Sequence, residues 1–87
     1  MNYEETFTDF ETMRVEAAWQ GFKHKDYGMM YSYLNKRLGT TQANYFQSLS
    51  KKEKRELCAR VVYLYHPDKE KAEIAKKYYK KHLEDLI

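Results

Sequence analysis

Proline occurs once in this sequence, at position 67, and glycine only three times, at positions 21, 28 and 39. So few chain breakers exclude a collagen-like repeat and a Pro/Gly-rich disordered chain. Cysteine also occurs once, as Cys58, so no internal disulfide can form and a reducing, cytoplasmic setting is expected. Long apolar runs are missing. The longest, Val61–Tyr65, is far short of the roughly 20 residues that cross a bilayer, and no N-terminal stretch has the form of a signal peptide. No membrane partner is expected. Eighty-seven residues leave space for one core, so residues 1–87 are read as a single small helical domain.

Charge is plentiful but unevenly spread. The net charge is +3. Residues 1–26 carry six acids (Glu4, Glu5, Asp9, Glu11, Glu16, Asp26) against three bases, whereas residues 27–87 carry thirteen bases against seven acids. A basic C-terminal two-thirds suits phosphates or an acidic protein surface. The lysines at 76, 77, 80 and 81 also fit an ordinary solvated helix face.

The apolar pattern is helical almost throughout. Thr8 to Glu11 has the form of a capping box, and Phe10, Met13, Ala17 and Trp19 give a stripe, so a first helix is predicted over 9–22 with Gly21 as a stop. Asp26 is the expected N-cap of a second helix, whose inward face is Met30, Leu34 and Leu38 and which Gly39 ends. A third helix is predicted over 42–49, capped by Thr41 and anchored by Tyr45, Phe46 and Leu49. Ser50 and Glu53 make a second capping box, opening a fourth helix with Leu57, Val61, Leu64 and Tyr65 inward. Pro67 disfavours helical geometry at His66, and Asp68 caps a fifth helix over 69–86 with Ala72, Ala75, Tyr79, Leu83 and Leu86 on one side. Val61 to Tyr63 are β-formers, but the flanking caps favour helix. The fold class predicted is all-α, four to five helices, with the last two forming an antiparallel hairpin.

Residue constellations for catalysis are absent. There is no Gly-rich phosphate loop and no nucleophile motif, and His24, His66, His82 and Cys58 lack the close pairs of a zinc site. No cofactor and no enzymatic activity are expected. Cys58 is read as a small packed side chain, with a Cys–His pair as the remote alternative.

The sharpest signal is His66-Pro67-Asp68. Pro67 stops a helix, and the polar groups of His66 and Asp68 are expected to project from the turn, the imidazole pointing outward. The segment from Leu57 to Lys69, LCARVVYLYHPDK, resembles the second helix and loop of a J-domain, the module of DnaJ-type co-chaperones. In that family a basic amphipathic helix ends in Tyr before His-Pro-Asp, and Val61, Tyr65 and Arg60 match its apolar, aromatic and basic positions. The likeness covers about residues 50–87. Leu64 departs from it at a usually basic position, and only nineteen residues follow Asp68. The resemblance implies contact with a DnaK-type chaperone through Arg60, His66, Pro67, Asp68 and Lys69. An interhelical turn explains the same tripeptide without a partner, Pro breaking one helix and Asp capping the next.

A second signal lies at Leu34 to Tyr45, which looks like the turn of a helix-turn-helix DNA reader. Gln42 and Asn44 have the chemistry to read adenine edges, and Thr41, Lys36, Arg37, Lys51 and Lys52 could anchor phosphates. Asn35 and Thr40 depart from the family's apolar pattern, and no Arg or Lys occurs from Gly39 to Ser50. Nine tyrosines support a third alternative, a small helical inhibitor or adaptor of the kind mobile elements encode, binding protein through aromatic surface.

Overall fold

The computed structural model describes the backbone of residues 12–86 and the side chains of residues 14–81. Among them are five helices and no strand: α1 (Thr12–His24), α2 (Gly28–Arg37), α3 (Thr40–Ser48), α4 (Lys51–Tyr65) and α5 (Lys69–Leu86). The first capping box, with Phe10, lies outside the described residues, as do the side chains of Met13, His82, Leu83 and Leu86.

α4 is the central rod. α1 and α5 both pack against it, α2 packs on α1, and α3 on α2. α4 and α5 form the hairpin expected from the Pro67 corner. The central position of α4 follows from its sequence. Its start is held by both bonds of the capping box, Glu53 N–H donating to Ser50 Oγ (3.1 Å) and Ser50 N–H to Glu53 Oε1 (3.2 Å). Its middle carries Cys58, Ala59, Val61 and Val62, all buried, on a broad arc. A rod flanked on two sides needs such an arc rather than the narrow stripe of a surface helix.

That demand rotates the buried face away from the predicted one. Leu57 and Val61 are buried as expected, but Leu64 is 48% exposed and Tyr65 39% exposed. Cys58, Ala59 and Val62 replace them because small side chains admit α1 and α5 closely. Tyr45 of α3 is likewise exposed, whereas the expected anchor Phe46 is buried and Ala43 joins it.

Gly21 does not end α1. The helix runs on to His24, and Gly21 is buried inside it. A Cβ there would lie 2.7 Å from Cys58 Sγ and 3.3 Å from the Tyr27 ring, so glycine is required by the approach of α4. The chain leaves α1 through Lys25, in left-handed geometry at φ 56°, whose N–H donates to Gly21 O (3.0 Å). Asp26 does not cap α2, since Tyr27 holds that position and no side chain bonds there. Thr41 is not the cap of α3 either. Gly39, at φ 91°, turns the chain so sharply that Thr40 already starts the helix, and Gly39 O accepts from Ala43 N–H (3.2 Å).

Candidate functional site

The corner between α4 and α5 forms as its sequence dictates. His66, ahead of Pro67, is extended (φ −70°, ψ 128°), which ends α4. Asp68 Oδ1 accepts from Glu70 N–H (3.0 Å) and Lys71 N–H (3.4 Å), which opens α5.

The imidazole does not point outward. The His66 side chain is only 4% exposed and turns under the corner onto α1. Its Nδ1 accepts from Asp68 N–H (3.0 Å), its Nε2 meets Glu16 Oε1, and its ring lies edge-on to Trp19, centroids 6.3 Å apart. Because Nδ1 accepts a backbone N–H, the ring proton sits on Nε2 in the neutral tautomer and is donated to Glu16. Both nitrogens are engaged within the chain. The expected projection of His66 is thereby corrected: an α1 carboxylate and an indole shelf together offer the ring a better site than solvent.

Glu16 gathers a second partner. Lys71 Nζ donates to the same Oε1 (3.2 Å) and lies 5.3 Å from the Trp19 ring centroid. Burial acts to raise the Glu16 carboxyl, but the hydrogen bonds from His66 and Lys71 outweigh it and hold it below the usual carboxylate range. The other corner residues are also occupied or exposed in ways the sequence did not show. Arg60 Nη1 donates to Tyr79 Oη (2.8 Å), and Tyr79 stacks on Tyr63, so Arg60 ties the hairpin together. The Asp68 carboxylate serves as a cap. Pro67 and Lys69 are exposed. Glu16 and Lys71 escaped sequence reasoning, and Trp19 enters it only as part of the first helix's apolar stripe. Glu16 stands 50 residues from His66, and no local pattern links the two.

The α2–α3 turn places its candidates differently. Lys36, Arg37, Thr41 and Asn44 are exposed, Gln42 is half-buried, and Lys51 and Lys52 are exposed in the first turn of α4. Asn35 is exposed too and accepts from Thr40 Oγ1 (3.5 Å). Lys36 and Arg37 stand at the N-terminal end of α3, and Lys51 and Lys52 at its C-terminal end. α3, which lies between the pairs along the chain, has nine residues and is about 14 Å long. Between them the exposed side chains of α3 are Thr40, Thr41, Asn44, Tyr45, Gln47 and Ser48, all uncharged.

Cys58 is fully buried and burial pushes its thiol up to about 12, which keeps it protonated and unreactive. Among the described residues no group of three or more His, Cys, Asp or Glu could hold a metal ion, and no helix is long and apolar enough to cross a membrane. No protein-family model, no curated protein and no solved structure matches this chain.

Proposed function

We propose that this chain is a non-enzymatic binding module for an anionic partner, and that the partner is duplex nucleic acid met by α3. One observation carries the reading: α3 exposes an uncharged face able to form hydrogen bonds and is bracketed by cations at both ends. Phosphate contacts position a reader while uncharged amides and hydroxyls reach base edges, and this division of labour is what the bracket offers. Lys36, Arg37, Lys51 and Lys52 then hold the backbone, and Thr41 and Asn44 face the bases, Gln42 being half-buried beside them. Fluorescence anisotropy with duplex DNA tests it. Binding should weaken steeply with salt. Replacing Lys36, Lys51 and Lys52 with Gln should flatten the log–log slope by up to roughly 0.9 for each phosphate that is no longer neutralised. Asn44→Ala should reduce sequence preference and leave that slope alone. Absence of binding at low salt would end the reading.

The antiparallel α4–α5 hairpin favours a second reading, the chaperone contact implied by the J-domain resemblance. With His66, Arg60 and the Asp68 carboxylate engaged internally, that contact would fall to Pro67 and Lys69. Lys69→Ala should then lower any stimulation of a DnaK-type ATPase without changing stability, and an unstimulated ATPase would dismiss it.

A further inference from the structure

A basic concavity lies where the α1–α2 connection, the start of α4 and the middle of α5 meet. Lys25, Tyr27, Lys51, Lys52, Arg55 and Tyr78 line it, and its volume is about 210 Å³. Four of the six residues are cations, and they come from two separate segments of the chain. The first turn of α4 adds the partial positive charge of a helix N-terminus, because Lys51 and Lys52 are the first two residues after the Ser50 cap.

The walls are held in place by bonds within the chain. Arg55 Nε donates to Phe22 O (3.2 Å), and its guanidinium lies over the rings of Phe22 (5.3 Å) and Tyr78 (4.6 Å). A cation fixed in this way loses little freedom on meeting a ligand. Tyr27 Oη donates to Lys51 O (3.3 Å), which ties the α1–α2 connection to the start of α4. Lys25 occupies a left-handed backbone position, at φ 56°, where glycine is the ordinary residue. Two of the nearby acids are turned to other tasks, Glu53 completing the capping box and Asp26 lying beside Gly28, while Glu56 reaches one pocket cation, Lys52 (3.9 Å), and offsets part of its charge.

We infer that this concavity is a phosphate-binding pocket, taking a compact anion of two or more charges. A single carboxylate leaves most of four converging cations unmatched, whereas a phosphate or diphosphate offers several acceptor oxygens in a small volume. The phosphate comes either from a small phosphorylated compound or from a nucleic-acid backbone. Lys51 and Lys52 are shared with the surface proposed above, but the pocket does not require that reading.

The test is a titration of the ¹⁵N-labelled full chain, followed by amide NMR, with pyrophosphate in one arm and a short DNA duplex in the other. Saturable pyrophosphate shifts should centre on Lys25, Tyr27, Lys51, Lys52, Arg55 and Tyr78. Lys25→Gly is the decisive variant. It removes one cation and relaxes a left-handed backbone, so the midpoint of thermal unfolding should hold or rise while pyrophosphate affinity falls about threefold, the scale of one partly solvated charge contact. Lys52→Gln should weaken binding similarly. Unsaturable shifts spread over Lys76, Lys77, Lys80 and Lys81 would overturn the pocket, as would unchanged affinity in Lys25→Gly. Pyrophosphate binding here without DNA binding keeps the pocket and removes the nucleic-acid reading. DNA binding while pyrophosphate leaves these six residues unmoved does the reverse.

Discussion

Gly21 shows how much one missing Cβ can decide. In an exposed helix, Gly→Ala stabilises by about 1 kcal/mol. Here the new methyl meets Cys58 Sγ at 2.7 Å, and overpacking of that kind costs roughly 1–3 kcal/mol. Gly21→Ala alone is therefore expected to lower the urea midpoint. In a Cys58→Ala background the sulfur is gone and Cys58 Cβ lies 3.6 Å away, an ordinary contact, which leaves the Tyr27 ring at 3.3 Å to shift by a few tenths of an ångström, so the same substitution should cost much less. A double-mutant cycle by chemical denaturation measures the difference, and independence of the two sites would refute the close approach. Gly21 looked like a stop because the residue type is right for one. Its actual reason is a neighbour 37 positions away, which no local pattern shows.

At the scale of elements, helix starts were legible wherever a side chain supplied the cap. Ser50 with Glu53 and Asp68 ahead of Lys69 do in the structure what their spacing implies. Ser50→Ala should destabilise the fold by about 1 kcal/mol and lower the thermal midpoint by roughly 5 °C, readable by circular dichroism. Starts set by backbone geometry were misplaced. At α2 and α3 no side chain caps the helix, and Asp26 and Thr41 had the right chemistry in the wrong register. The inward face of α4 was offset for a related reason. Periodicity locates an apolar stripe, but the number of helices packed against a rod sets how wide the buried arc must be.

At the scale of the whole molecule, Glu16 joins α1 to both sides of the α4–α5 corner, through His66 and Lys71. Its carboxyl is held below the ordinary value of 4.5, so the unfolded chain takes up this proton first as pH falls. The stabilisation is present above the unfolded value of 4.5 and is lost progressively as pH falls through it and then through the lower folded-state value. Thermal midpoints measured from pH 7 to pH 2 should fall over that acid range. Glu16→Gln should have a lower midpoint at pH 7 and a shallower acid dependence. Identical acid profiles for the two proteins would show that the junction contributes nothing. Glu16 is partly open to solvent, so the effect is expected to be modest.

Capping chemistry and the 3.6-residue period act within a few residues of each other, and they suffice for the helical fold class, the hairpin at Pro67 and most of the core helices. The sequence also marked the exposed cations around α3. That His66 turns inward, that Gly21 admits α4, and that Lys25, Lys51, Lys52 and Arg55 line one concavity follows from packing alone. Each of these depends on groups far apart along the chain, whose meeting is set by how the described helices share one small core.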